Sequence, residues 1–92
     1  MNDRIARQLT IVNRRGLHAR ASAKFVQTVE RFNADVTVTR CGETVGGRSI
    51  MGLLTLGAAQ GTSITVTAKG ADATLCLRAI DDLLANKFGE GE

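Results

Sequence analysis

The residues best suited to chemistry lie in Asn13-Arg14-Arg15-Gly16-Leu17-His18-Ala19-Arg20, which holds the only histidine of the chain among three arginines. Neutral imidazole is a nucleophile, and a reference pKa near ~6.5 leaves much of it unprotonated at neutral pH. The planar guanidinium fork of arginine matches phosphate oxygens through paired hydrogen bonds. These residue types suit attack on a phosphoryl group and retention of the product charge, roughly −1.5 to −2 for a phosphoryl modification. A plainer role fits them too: a surface histidine at a helix start, with arginines that keep the chain in solution. Residue types alone leave both open.

The flanking elements decide where His18 sits. Gln8-Leu9-Thr10-Ile11-Val12 alternates polar and apolar, the signature of a half-buried strand. Ser22, Phe25, Val26 and Val29 fall at i, i+3, i+4 and i+7, which predicts an amphipathic helix running to Phe32 and stopping at Asn33. His18 therefore lands at or just before the first turn. There the amides of Ala19 and Arg20 have no intrahelical acceptor and the macrodipole is positive, which makes an anion site.

Two segments carry a resemblance. Gly16-Leu17-His18-Ala19-Arg20, continued by Ala21-Ser22-Ala23-Lys24-Phe25-Val26, resembles the phosphorylation motif of the HPr family, the small phosphocarriers of the bacterial phosphotransferase system. Arg48-Ser49-Ile50-Met51-Gly52-Leu53-Leu54-Thr55-Leu56-Gly57 is similar to that family's regulatory-serine helix. The resemblance implies that His18 takes a phosphoryl group on Nδ1 (a pros-phosphohistidine) from phospho-Enzyme I, itself charged by phosphoenolpyruvate. It implies onward transfer to an Enzyme IIA-type protein, in sugar uptake or in nitrogen and carbon regulation. Arg20 and the amides of Ala19 and Arg20 would hold the phosphate. Such a protein is a phosphoryl carrier rather than a turnover enzyme, and the expectation is a monomer with no cofactor and no metal. Ser49 is the regulatory phosphosite that a serine kinase and phosphorylase would act on. The chain departs from the family after Arg20, where many members have proline and this chain has Ala21. Gln27 and Glu30 stand where members specialised for sugar uptake often carry lysines. That departure makes a nitrogen-related chain as credible as a sugar-uptake one.

Composition narrows the alternatives. Ninety-two residues make a single small domain, and 43% hydrophobic content is ordinary for a globular chain. Net charge is only +3, and the basic residues scatter apart from the cluster at His18, against a nucleic-acid-binding face. Three phenylalanines, with no Trp or Tyr, cannot assemble the stacking platform of an RNA-binding sheet. No apolar run approaches the ~20 residues that span a bilayer. Met1-Asn2-Asp3-Arg4 lacks the apolar core of a signal peptide, so a cytoplasmic location with no membrane insertion is expected. Cys41 and Cys76 form no Cys-x-x-Cys or Cys/His cluster, and free thiols are expected.

In chain order, residues 1–7 read as a lead-in. Asp35–Arg40 alternates as a second strand, and Thr44–Arg48 returns as a short third. Ser49 reads as the N-cap of a short helix that ends at Gly57. Ser63–Ala68 is a fourth strand, Asp72 the N-cap of a last helix with Cys76, Ile80, Leu83 and Leu84 on one stripe, and 89–92 a disordered tail. The order is βαββαβα. Strands with one apolar face need cover on one side only, so the fold class is α+β: a four-stranded antiparallel sheet under three helices. The resemblance implies the open-faced β-sandwich of the HPr family. The pattern alone also allows a ferredoxin-like module that binds an anion or metabolite.

The short helix is too apolar to bury every side chain. Leu53 and Leu56 are expected in the core, and Ile50, Met51 and Leu54 as a docking patch. The resemblance extends that patch to the start of the first helix, at Ala23 and Lys24.

Overall fold

The computed structural model describes residues 4–90. Its elements are β1 (Ile5–Thr10), α1 (Ala19–Glu30), β2 (Asp35–Arg40), β3 (Glu43–Gly46), α2 (Ile50–Thr55), β4 (Ser63–Lys69) and α3 (Ala73–Ala85), followed by a 3-10 turn over Lys87–Gly89. The strands form one antiparallel sheet in the order β1-β4-β2-β3. This order puts β4 and β2 in the centre, whereas a ferredoxin-like sheet has its first and third strands there. The open-faced sandwich is the fold.

Alternation decides which face is covered. Leu9, Ile64, Val66, Ala68, Val36 and Val38 are buried on one face, against Ala21, Phe25 and Val29 of α1, Leu53 of α2 and Cys76, Leu77 and Ile80 of α3. On the other face Thr37, Thr39, Thr44 and Thr67 line an open surface with Arg4, Asp35 and Lys69. No helix among the described residues is long and apolar enough to cross a membrane.

Several boundaries differ from the sequence reading. The first strand begins at Ile5, not Gln8, so Ile5–Arg7 belong to the sheet rather than to a lead-in. Their backbones pair with Ala68, Thr67 and Val66, and Ile5 packs against the core. Met1–Asp3 lie outside the described residues. Helix α1 ends two residues short of Phe32, because the Arg31 and Phe32 amides close the last turn with three-residue bonds onto the Thr28 and Val29 carbonyls, at 3.2 and 3.1 Å. Strand β3 stops at Gly46, where the Gly47 amide turns to the Val36 carbonyl, 2.7 Å away. Asp72 flanks α3 but its side chain does not cap it; the carboxylate accepts from the Asn33 amide instead, at 2.8 Å.

The tail is the largest correction. Lys87, Phe88 and Gly89 all have positive φ, at 54, 54 and 75°. For the two non-glycine residues this left-handed backbone costs roughly 1–2 kcal/mol each. Burial of Phe88, only 1% exposed, holds the turn in place. Gly89 and Glu90 therefore lie against the body of the domain rather than in a disordered tail, while Gly91 and Glu92 fall outside the described residues.

Candidate functional site

The loop from β1 to α1 is zipped to the segment that follows α2. The Ile11 amide donates to the Thr62 carbonyl at 2.9 Å, Gly61 donates to Ile11 at 2.7 Å, and Leu17 donates to Ala58 at 2.9 Å. Gly16 turns the loop with φ +70°, and the Leu17 side chain is buried immediately after it. These contacts deliver His18 to the N-cap of α1 with extended backbone, φ −79° and ψ −177°. Its carbonyl receives the first helical bond, from the Ser22 amide at 2.8 Å. Its side chain makes no capping hydrogen bond to the helix amides.

Beside Glu90, whose carboxylate contacts the His18 ring, lies a depression of about 260 Å³ lined by Arg15, Arg20, Lys24, Gly89 and Glu90 itself. The cationic groups come from the loop and from the first two turns of α1, so helix geometry places Arg20 and Lys24 one above the other, four residues apart. Lys24 Nζ also donates to the Phe88 carbonyl at 2.5 Å, which ties it to the C-terminal turn. Lys24 thus borders the candidate site. Ala23 is half-buried beside it.

Of two residues given no role by the sequence reading, Glu90 meets the ring and Asn13 holds Glu90. Glu90 Oε2 contacts His18 Nε2, and Glu90 Oε1 accepts from Asn13 Nδ2 at 3.0 Å. Asn13 is fully buried, and its Nδ2 donates also to the Gly16 carbonyl at 2.8 Å. Burial alone would raise the Glu90 pKa. Hydrogen bonds from Asn13 and His18, then the charges of His18 and Arg15, outweigh it and hold the carboxyl below its ordinary value. The signal that could have found Glu90 is Phe88: a large apolar side chain two positions earlier, in an otherwise polar end segment, needs somewhere to be buried.

The second candidate region is α2. Ser49 caps it, accepting from the Gly52 amide at 2.9 Å, as the sequence predicts. Gly52 is required by a close approach, since a Cβ there would sit 3.0 Å from both Ser49 Oγ and Val45 Cβ. Leu53 and Leu56 are in the core, at 0% and 4% exposure, while Met51 is 71% and Ile50 40% exposed. Leu54 is half-buried. Helix α2 packs on α1, the helix that starts beside His18. Among the described residues no cluster of three His, Cys, Asp or Glu could hold a metal ion.

Comparison with known proteins shows the family. A family model described as "PTS HPr component phosphorylation site" matches residues 5–86. The phosphocarrier protein HPr of Neisseria meningitidis is 48% identical over 88 residues, covering 96% of this chain and 99% of that one. HPr-C-His from Thermoanaerobacter tengcongensis superposes with a TM-score of 0.89 at 38% identity, covering 94% and 97% of the two chains. A phosphocarrier protein HPr from Bacillus anthracis gives 0.86 at 36% identity, over 90% and 99%. On the family match and on relatives that span nearly all of it, the chain belongs to the HPr family, the phosphocarrier proteins of the phosphotransferase system.

Proposed function

We propose that His18 is the phosphoryl acceptor of this phosphocarrier, charged by phospho-Enzyme I and discharged to an Enzyme IIA-type protein. The observation that carries this reading is the place of His18 at the α1 N-cap, beside a depression that gathers Arg15, Arg20 and Lys24. A ring lone pair attacks phosphorus as the bond to the donor breaks, and the donor leaves with that electron pair. The helix dipole, the first-turn amides of Ala19 and Arg20 and the Arg20 guanidinium then stabilise the added charge. In the acceptor step a nucleophile of the acceptor protein attacks the same phosphorus, and the N–P bond to His18 breaks with its electron pair returning to the ring. The partners supply the rest of each active site, so the protein acts as a substrate of both and turns nothing over alone.

The α2 ridge of Ile50, Met51 and Leu54 is the proposed docking surface, with Ala23 and Lys24 at its border on α1. Such complexes are brief and small. Ser49 is exposed at the rim of that ridge. A kinase that phosphorylated it would place a dianion on a surface built for apolar contact, which is how it would regulate transfer. A cytoplasmic monomer is the setting this reading calls for.

The test is incubation with Enzyme I and phosphoenolpyruvate, followed by intact mass and acid treatment, beside His18→Ala. One acid-labile phosphoryl group, absent from the variant, is expected. No phosphorylation by a cognate Enzyme I would overturn the reading.

A further inference from the structure

We infer that Glu90 is a positioning residue for the nucleophile: held by Asn13, its carboxylate takes the Nε2 hydrogen of His18 and leaves the Nδ1 lone pair to attack phosphorus. This inference rests on His18 being the phosphoryl acceptor.

The hydrogen-bond inventory leads to it. An ionised carboxylate only accepts, so the nitrogen facing Glu90 Oε2 must be the donor. A neutral imidazole has one N–H, and with Nε2 as donor the other nitrogen, Nδ1, carries the lone pair. The orientation of Asn13 is fixed by the same logic. Both atoms facing its Nδ2, the Gly16 carbonyl and Glu90 Oε1, are acceptors, and an amide group has two N–H bonds to give them. Exchanging the amide nitrogen and oxygen would set acceptor against acceptor at both sites. A buried asparagine thus holds a carboxylate, and the carboxylate holds the ring. Burial matters here: the Glu90 side chain is 11% exposed and the His18 side chain 16%, so water competes weakly for these bonds.

The chemistry benefits twice. The carboxylate selects the reactive tautomer before attack. When Nδ1 forms its bond to phosphorus, the donor atom departs with the electrons of the broken bond, and the ring becomes a cation that still carries Nε2–H. Glu90 faces that cation directly.

The charged groups that share this environment are Arg15, Arg20 and Lys24, which disfavour the ring cation, and Glu90, which favours it. Glu90→Gln keeps the shape and removes the charge; Glu90→Ala removes both. Proton–nitrogen NMR of the His18 ring, with no donor present, reads the tautomer. The wild-type neutral ring is expected with hydrogen on Nε2, and that preference is expected to weaken in Glu90→Gln and to be lost in Glu90→Ala. The saturating transfer rate is then expected to fall by up to about tenfold with KM unchanged.

A wild-type ring with hydrogen on Nδ1 overturns the inference, as does a tautomer preference that neither variant changes. Faster transfer in both variants overturns it as well, and makes the tail a cover over the site. Because the NMR readout needs no phosphoryl donor, a His18 that is never phosphorylated would defeat the functional reading without touching this measurement.

Discussion

Gly16 and Ala58 approach so closely that a Cβ on residue 16 would lie 2.6 Å from the Ala58 carbonyl oxygen. That same oxygen accepts the Leu17 amide at 2.9 Å, so the contact cannot open without losing the bond that anchors the histidine loop. Gly16→Ala also forces an alanine to φ +70°. Urea unfolding should show a loss of about 1–3 kcal/mol. Phosphoryl transfer should fall at temperatures where the variant is still folded.

Neighbouring α2 residues should behave oppositely. Met51→Asp alters a side chain 71% exposed, so its stability should stay within about 0.5 kcal/mol of wild type while KM for phospho-Enzyme I rises. Leu53→Ala empties a fully buried site and should cost about 2–5 kcal/mol, with KM unchanged in the folded fraction. Denaturant melts and initial rates on both variants separate docking from packing.

Ser49→Ala removes the acceptor for the Gly52 amide and should cost about 1 kcal/mol. Ser49→Asp keeps an acceptor oxygen and adds charge at the helix N-terminus, so most of that stability should return. If α2 docks partners through apolar contact, transfer by Ser49→Asp should still be slower than by Ser49→Ala. Equal rates in the two variants would remove the docking role of this face.

The cysteines differ in the same checkable way. Cys41 is exposed, whereas Cys76 is buried and burial pushes its thiol up, Arg48 and Arg31 opposing and Asp72 adding to that shift. A thiol reagent at neutral pH should modify one cysteine quickly and the second only on unfolding. Peptide mapping should place the fast reaction at Cys41.

Glu90 links stability to pH. Its folded pKa lies below the unfolded value, so its contribution is present above the unfolded pKa and is lost as pH falls through the folded one. The stability gap between wild type and Glu90→Gln should be widest near neutrality and close in acid. A gap that persists at a pH where the Glu90 carboxyl is protonated in both states would place the effect in packing rather than charge.

The periodic parts of the fold were legible: the stripe of Ser22, Phe25, Val26 and Val29, the alternation in β2 and β4, and Ser49 as a cap all follow from local spacing. His18 at a helix start was legible for the same reason. Asn13 and Glu90 were not, because no local pattern announces a contact between residues 77 positions apart. Asp72 shows the limit of cap rules, since a side chain at the right position chose a distant amide, that of Asn33, over its own helix. The end segment was misread because its glycines and acids suggest disorder, while the single apolar Phe88 outweighs them by burial.

The ring of His18 and its carboxylate are separated by 72 residues of sequence. Closing so long a loop costs entropy that only the intervening structure can offset. During synthesis His18 therefore leaves the ribosome well before Glu90, and the pair can form only when α3 and the Phe88 turn have docked. The contact between them closes last, as a certificate that the whole domain has folded.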